Sequence, residues 1–235
     1  MWDILTIMIT EKDEVMFENL KEVTPHIGTH RESYRHTPSG VRDTVAKNIV
    51  RASAACADFL FQNRYCHRAV VLETIASVPG MVGGLLQHLK SLRFIRDDRG
   101  WIKTLLDEAE NERIHLLVYS EIAKPNSFEK VLIFIVQFFF YHLYFILYLI
   151  SPATAHRVVG YFEEEAINSY EHYLALIENS IHENVEAPQL AKSYWNLNSD
   201  ARLVDVIKAT LKDEMIHRDV NHRFADDKIG TSLWK

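Results

Sequence analysis

The chain has 235 residues, enough for one large domain and short for two. Glycine and proline are scarce, at 8 and 6 residues, which disfavours an all-β fold built on many tight turns. The net charge of −6 gives no basic footprint for nucleic acid. Two cysteines, Cys56 and Cys66, exclude a disulfide framework and an iron–sulfur cluster held by four cysteines. Twelve histidines favour metal chemistry or proton transfer.

The predicted elements are almost all helices. A polar arm, residues 1–40, precedes a first helix from Val41 to about Gln62, in which apolar residues recur at helical spacing. Further helices are predicted at about 65–94, 101–122, 131–150, 155–182 and 200–221. No strand is convincing. The sequence therefore predicts an all-α bundle over residues 41–227, followed by a tail, residues 228–235.

The apolar run at 131–150 is long enough to cross a bilayer, because twenty helical residues span about 30 Å. It is the only run of this kind in the sequence, and His142 and several tyrosines fall near its middle. A lipid-exposed span places such groups at its ends. The pattern therefore favours a monotopic protein that rests in one leaflet over a transmembrane helix.

Two Glu-x-x-His pairs carry the chemical signal of the sequence, Glu112 with His115 and Glu214 with His217. Residues three apart on a helix share one face and can hold one ion between them. Glu73 lies in the apolar segment AVVLETIASV, an expensive place for an unpaired carboxylate. At least one of three consecutive glutamates at 163–165 must also face inward.

The resulting pattern, Glu, Glu-x-x-His, Glu, Glu-x-x-His on four helices, is the signature of ferritin-like di-iron and di-manganese bundles. Carboxylates with some imidazole suit Fe or Mn. Asn111 and Asp213 each stand directly before a Glu-x-x-His pair, and both are candidates to orient the metal ligands without binding the metal themselves. The alternative is that Glu112 and Glu214 are solvated and the histidines are core residues, but this leaves Glu73 poorly explained.

Four stretches of the chain resemble the motifs of the alternative oxidases, and the resemblance spans about residues 42–226. They are RAVVLETIASVPGMVGG (68–84), NERIHL (111–116), GYFEEEA (160–166) and DEMIHRDVNH (213–222). Members of that family are di-iron ubiquinol oxidases that reduce oxygen to water, pump no protons and resist cyanide. They are monotopic, usually dimeric, and lie on the matrix side of the mitochondrial inner membrane.

The resemblance implies a set of site residues. Two Fe ions would be held by Glu73, Glu112, His115, Glu163, Glu214 and His217. Tyr170 matches the redox-active tyrosine of the family. Tyr194 matches a second family tyrosine and is a further candidate for a supporting role, the alternative being a core aromatic residue whose hydroxyl is hydrogen-bonded. Helical spacing agrees for Tyr170, because Glu163, Ala166 and Tyr170 lie on one stripe.

The quinol pocket and the dimer contact are also implied by the resemblance. The pocket would be lined by Arg68, Leu72, Phe162, Ala166, Ser169 and Tyr170. Phe162 replaces the family's leucine, and Ser169 its common threonine, so Phe162 is expected to narrow the pocket. A homodimer is expected, with the small residues of Gly80–Gly84 and His88 at its interface.

Two other classes compete with this interpretation. A ferritin-like iron store or soluble di-iron oxygenase would need no membrane, and a non-catalytic helical membrane protein would bind no stoichiometric iron. The apolar run at 131–150 and the basic residues of the first helix, Arg42, Lys47 and Arg51, favour a membrane-bound enzyme.

Overall fold

A computed structural model of the protein describes residues 35–61, 65–227 and 233. In these ranges there are seven helices: α1 (Val41–Phe61), α2 (Tyr65–Phe94), α3 (Trp101–Ala123), α4 (Ser127–Ile150), α5 (Pro152–Glu178), α6 (Gln189–Tyr194) and α7 (Leu203–Asp226). The same ranges contain no β-strand, only one isolated antiparallel bridge between Glu186 and Arg202. The predicted all-α fold is therefore confirmed.

The domain limits stay a prediction. From His36 onward the described residues form one compact unit. Most of the predicted arm, 1–40, and most of the predicted tail, 228–235, lie outside the described residues. Within the unit, α2 packs most extensively on α3 and α5 on α7, while α1 lies mainly on α5 and α4 mainly on α2. Apolar side chains from α2, α3, α5 and α7 share one buried core. The four helices that carry the Glu and His pattern are therefore the central four.

Several helix ends differ from the prediction, and one helix was not predicted at all. Two of the changed starts have clear local causes. Helix α4 begins at Ser127 because Asn126 and Glu129 form a capping box that satisfies the first backbone N–H groups. Helix α5 begins at Pro152, directly after the capping Ser151. The short helix α6 was not predicted; Pro188 ends the preceding segment but also stands at its N-cap, where no N–H is needed.

Glycines on α2 allow α3 to approach closely, as predicted, but within the same chain. A Cβ atom added at Gly80 would lie 2.3 Å from the backbone oxygen of Leu105 on α3. Gly83 faces Leu105 and Tyr148, and Gly84 faces α3 as well. All three glycines are buried. These three glycines therefore pack within the chain, and a homodimer with His88 at its interface stays a prediction.

The close approach at Gly80 predicts a difference between two alanine variants. Gly80→Ala is expected to lower the free energy of unfolding by about 3 kcal/mol, because the new methyl meets backbone. Gly84→Ala should cost clearly less, because its nearest neighbour is the flexible side chain of Leu106, 2.9 Å away. Thermal unfolding of both variants measures the difference, and equal losses would contradict the packing described here.

Two described helices, α2 and α4, are long and apolar enough to cross a membrane by length and composition. The expectation that the run at 131–150 is the only one of this kind is therefore wrong. The two helices differ in surroundings, since 67 % of the apolar window of α2 is buried in the protein and only 11 % of that of α4. Helix α4 therefore presents a broad apolar face outward. Its exposed residues include Phe128, Val131, Phe134, Phe138, Phe139, Leu143, Ile146 and Ile150. Helix α1 adds exposed Val41, Val45, Ile49 and Phe59.

Candidate metal centre

The six predicted ligand residues meet in the interior of the bundle. Each side chain comes from one of the four central helices and none is more than 5 % exposed. They are Glu73 on α2, Glu112 and His115 on α3, Glu163 on α5, and Glu214 and His217 on α7. The i, i+3 spacing places each Glu-x-x-His pair on the inward face of its helix. The sequence pattern is therefore a single cluster in space.

The cluster divides into two groups of potential metal donors. One contains Glu73, Glu112, His115 and Glu214; the other contains Glu112, Glu163, Glu214 and His217. In each group the donor atoms lie within 4.8 Å of one another. Because Glu112 and Glu214 belong to both groups, these two carboxylates can bridge two neighbouring cations. This is the arrangement expected of a dinuclear site.

The imidazole geometry supports the same interpretation. The Nδ1 atom of His115 lies 3.4, 3.5 and 3.3 Å from carboxylate oxygens of Glu73, Glu112 and Glu214. The Nδ1 atom of His217 lies 2.7 Å from Glu112 Oε1 and 3.8 Å from Glu214 Oε2. One nitrogen of each ring thus points at the carboxylates, as a metal-binding histidine requires.

Several buried donor atoms of the cluster approach one another without making a well-oriented hydrogen bond, which fits a metal site. They are Glu73 Oε2, both oxygens of Glu112, Glu214 Oε2, and Nδ1 of His115 and His217. Burial, reinforced by the charge of Glu112, raises the pKa of Glu73 well above its usual range. Burial and the charges of Glu214 and Glu112 do the same to the pKa of Glu163. Divalent cations would stabilise the charged carboxylates of Glu73 and Glu163 and would give the unbonded atoms a partner.

A second layer of hydrogen bonds orients His115. Its Nε2 atom lies 3.3 Å from Asp213 Oδ2, so the proton on this nitrogen points away from the cluster and Nδ1 is left free to bind. Asn111 donates from Nδ2 to Asp213 Oδ2, at 3.1 Å, and to the Tyr194 hydroxyl, at 2.8 Å. The three predicted supporting residues are therefore in contact with one another. Trp195, which the sequence analysis missed, also donates to Asp213, at 2.8 Å.

Tyr170 lies at the edge of the cluster. Its hydroxyl donates a hydrogen bond to Glu73 Oε1, and its ring stacks on Tyr119 with centroids 5.4 Å apart. Burial and the charge of Glu73 raise the pKa of Tyr170 well above its usual range, so the phenol is protonated. Tyr170 is thus in direct hydrogen-bond contact with a residue of the cluster.

A cavity of about 280 Å³ reaches the cluster from one side. Carboxylates at 73, 163 and 214 line its inner end, and apolar residues line most of the rest. Its walls include the predicted pocket residues Arg68, Leu72, Phe162 and Ala166. Ser169 and Tyr170 instead line a smaller adjoining cavity of about 20 Å³, together with Leu72, Glu73 and Ala166. The volume is near the lower end of the range for small-molecule pockets.

Phe162 forms one wall of the larger cavity without closing it. Its ring packs edge-on against Phe140 of α4, with centroids 6.1 Å apart, and it is only half-buried. Helix α1 supplies the opposite wall through Ser53, Cys56 and Ala57. The predicted effect of Phe162 on pocket width remains a prediction.

Helix α1 is tied to the bundle by a buried ionic cluster that the sequence analysis missed. Arg157 of α5 is fully buried, and its Nε atom lies 3.2 Å from Asp43 Oδ1 of α1. Burial alone would raise the pKa of Asp43, but hydrogen bonds from Ser39 and His36 and the charge of Arg157 hold it well below its usual range. The ion pair therefore persists at neutral pH and anchors the start of α1.

A further buried network lies one turn below the cluster. Both oxygens of Glu108 accept from Asn221 Nδ2, at 2.9 Å, and Asn221 Oδ1 lies 2.9 Å from His156 Nδ1. The other nitrogen of His156 contacts the Tyr148 hydroxyl, at 2.9 Å. Burial raises the pKa of Glu108 to about 7 and lowers that of His156 to about 4. Glu108 stands four residues before Glu112, a spacing that could have revealed it as inward-facing.

An all-helical bundle whose core holds two carboxylate–imidazole groups with two shared carboxylates defines a protein of the dinuclear metal-carboxylate class. A sequence model of the family described as "Alternative oxidase" matches residues 26–226. The chain belongs to the alternative oxidase family.

Named relatives agree with this assignment. "Ubiquinol oxidase, mitochondrial" of Batrachochytrium dendrobatidis is 50 % identical over 207 residues, covering 88 % of this chain and 64 % of the relative. "Ubiquinol oxidase 2, mitochondrial" of Glycine max is 52 % identical over 192 residues, covering 82 % and 57 %. "Alternative oxidase 3, mitochondrial" of Glycine max is 52 % identical, covering 82 % and 59 %. The chain thus spans about three fifths of the length of these relatives.

Proposed function

We propose that the protein is a ubiquinol:oxygen oxidoreductase that passes four electrons from two ubiquinols to O2 and gives two waters. The observation that carries this proposal is the direct contact between an apolar cavity and a buried cluster of donors arranged for two cations. A cavity that ends on three of the cluster's carboxylates can bring an organic reductant beside the metals. The names of the relatives, ubiquinol oxidases, supply the substrate.

Two Fe ions are the proposed cofactor, held by Glu73, Glu112 and His115 on one side and by Glu163, Glu214 and His217 on the other. Carboxylate-rich donors with imidazole suit Fe, and the described part of the chain places no cysteine in the cluster. When bound, the pair of irons supplies the capacity to bind O2 and to reduce it by more than one electron.

The residues of the chain position the substrates and handle protons. Arg68, half-buried in the cavity wall, is proposed to hydrogen-bond the quinol head group, with Leu72, Phe162 and Ala166 packing on the ring and Ser169 beside them. Tyr170 is proposed to donate one electron, with its proton held by the bond to Glu73. Asp213, supported by Asn111 and Tyr194, keeps the His115 ring in the binding orientation.

The reaction as proposed moves no charge across a membrane. Two quinols release four electrons and four protons, and one O2 with these four electrons and four protons gives two waters, so the sum balances without protons from elsewhere. Both half-reactions share one cavity and one cluster. The protein is therefore expected to be non-pumping, and cyanide, which blocks haem oxidases, is expected not to inhibit it.

The membrane surface is the proposed setting. The outward apolar faces of α4 and α1, with Lys47 and Arg51 on α1, fit insertion into one leaflet of an anionic membrane. The names of the relatives support a mitochondrial location, proposed here as the matrix side of the inner membrane.

A homodimer is also proposed, by a surface other than the buried glycines. Exposed residues of α2, Met81, Leu85, Leu89 and Leu92, form an apolar stripe that includes the exposed His88. Apolar stripes of this kind are typical of helix–helix contacts between subunits. Analytical ultracentrifugation in detergent tests this, and a monomer would contradict it.

Oxygen uptake by the purified, detergent-solubilised protein tests the proposed function. With iron and a short-chain ubiquinol, uptake is expected to continue in the presence of cyanide at one O2 per two quinols. Iron-loaded protein that consumes O2 only with Fe(II), and not with quinol, would instead indicate a ferritin-like iron store. Protein without stoichiometric iron would indicate a non-catalytic membrane protein.

Chemical labelling of Cys56 tests whether the cavity admits quinol. Cys56 is exposed and lines the cavity, whereas Cys66 is half-buried, bonds Tyr173, and has a pKa raised by burial. A bulky maleimide is therefore expected to label Cys56 first and to suppress quinol-dependent uptake. The same treatment of Cys56→Ser should leave its uptake unaltered. Full uptake by labelled wild type would contradict entry past Cys56.

A further inference from the structure

We propose that Tyr173 and Cys66, with Tyr119 and Tyr65 stacked beside them, form a path that returns electrons to Tyr170 when quinol is scarce, and that Cys66 is the residue finally oxidised. This inference rests on the proposed function, because it takes Tyr170 as an electron donor to the centre. It adds a protective function that quinol oxidation itself does not require.

The inner end of the path, Tyr170, is one of a pair of stacked tyrosines. Tyr170 contacts the cluster through Glu73, and its ring lies 5.4 Å from that of Tyr119, at an interplanar angle of 25°. Tyr119 is fully buried, and its hydroxyl donates to Thr210 Oγ1, at 3.2 Å. Tyr119 thus touches Tyr170 but bonds none of the proposed metal ligands.

The outer step leads toward the surface. Tyr173 lies one helical turn after Tyr170, and both line the same small cavity. The Tyr173 ring stacks on Tyr65, with centroids 5.1 Å apart and planes within 9°. Its hydroxyl lies 3.1 Å from Cys66 Sγ. Tyr65 and Cys66 are half-buried, so the path ends where solvent and soluble reductants have access.

The need for such a path follows from the stoichiometry. One quinol supplies two electrons and O2 requires four, so a centre that has received one quinol remains oxidising until the second arrives. The phenol of Tyr170 is an oxidisable side chain hydrogen-bonded directly to the proposed ligand Glu73. A radical confined to Tyr170, beside the carboxylates, would damage the site. A radical moved outward to Cys66 instead oxidises a thiol that soluble thiols can restore.

The electrons and protons balance along the path. Tyr170 gives one electron to the centre and its phenolic proton to its partner Glu73. An electron from the Tyr173–Cys66 pair restores Tyr170, and the proton returns from Glu73. The S–H bond of Cys66 breaks; its electron replaces the one lost and its proton leaves to water. The Cys66 thiyl radical then takes a hydrogen atom from a soluble thiol, or adds oxygen where no thiol is present.

The environment of Cys66 suits this role better than a nucleophilic one. Burial raises the pKa of its thiol, which therefore keeps its proton at neutral pH. A protonated thiol is a poor nucleophile but a good donor of a hydrogen atom. Cys56 is more exposed, but it lines the larger cavity. In the part of the chain that the structure describes, Cys56 contacts none of these tyrosines.

Hydrogen peroxide added to the iron-loaded protein without quinol tests the path directly. Tandem mass spectrometry is expected to find oxygen adducts at Cys66, and none there when peroxide is added to the metal-free protein. In Tyr173→Phe the Cys66 adducts should fall several-fold, with oxidation rising at Tyr170 and Tyr119. Tyr161→Phe, a buried tyrosine on the same helix α5 but outside the path, should match wild type.

Freeze-quench electron paramagnetic resonance gives a second readout. The tyrosyl radical signal is expected to persist several-fold longer in Cys66→Ser than in wild type, because the last donor is gone. Equal Cys66 oxidation in wild type, Tyr173→Phe and metal-free protein would overturn the path. The initial rate of quinol oxidation, measured separately, should be near normal in Tyr173→Phe. A wild type that oxidises no quinol but shows the expected adducts would overturn the proposed function and leave the path standing.

Discussion

Replacing Glu112 by glutamine is expected to abolish oxygen uptake and to prevent stoichiometric iron binding. Glu112 belongs to both donor groups and is fully buried, with Oε1 2.7 Å from His217 Nδ1. The amide has nearly the same size but carries no charge and offers one weak donor oxygen, so it cannot bridge two cations. The rate of oxygen uptake should fall at least about 100-fold. Loss of a residue that only supports a metal ligand lowers affinity or activity by up to about 100-fold, and loss of a ligand itself should cost no less.

Glu110 provides the matched control on the same helix. It lies two residues before Glu112, its side chain is 45 % exposed, and it pairs with Arg113. Glu110→Gln is expected to keep iron content and uptake, because exposed helix-surface pairs contribute little to stability. Iron analysis by plasma mass spectrometry and oxygen electrode measurements on both variants suffice. A Glu112→Gln protein with two irons and normal uptake would overturn the assignment of the centre.

The fold was largely predictable from the sequence because its helices are long and their apolar residues keep a helical period. The bounds of α2 were predicted correctly, even though Pro79 and three glycines lie inside the helix. The short helix α6 was not, because six residues carry too little periodicity. The helix that packs on Gly80 could not be predicted for a different reason: a stripe of small residues indicates a close contact but not whether the contact lies within one chain.

The candidate site was predictable in part for the same reason. Residues three apart share a helix face, so their spacing in the sequence predicted that the side chains of each Glu-x-x-His pair lie together. The two pairs are Glu112 with His115 and Glu214 with His217. Supporting residues such as Trp195 come from segments without a period, and their position depends on the tertiary fold. Arg157 was missed because a buried arginine and a surface arginine look alike in a sequence until the acidic partner from another helix is known.

Buried polar groups beyond the six proposed ligands show how the bundle supports its centre. Asp213 fixes His115, and Glu108 with Asn221 and His156 extends hydrogen bonding one turn below the cluster. Burying any of these polar groups without a hydrogen bond would cost free energy, and each of them has hydrogen-bond partners among its neighbours. The interior is thus a connected polar structure around which the apolar core is arranged.

Tyr170→Phe is expected to separate catalysis from metal binding. Tyr170 is not among the donor groups, so iron content should stay at two per chain. The loss of one buried hydrogen bond to Glu73 should lower the free energy of unfolding by only about 1 kcal/mol. Oxygen uptake with quinol, however, should fall at least about 100-fold, the lower range for removal of a positioned proton donor, because phenylalanine can supply neither the proton nor the electron.

Tyr161→Phe is the control for this variant, since it also removes a buried hydroxyl from α5 but lies in a different apolar cluster, with Ala46 and Val50 of α1. It should keep both iron and uptake. Near-normal uptake by Tyr170→Phe would refute the proposed role of Tyr170 and leave the metal assignment intact. Loss of iron in Tyr170→Phe would show instead that the hydroxyl matters by holding Glu73 in place. The comparison of iron content with uptake therefore distinguishes a reacting tyrosine from one that only positions a ligand.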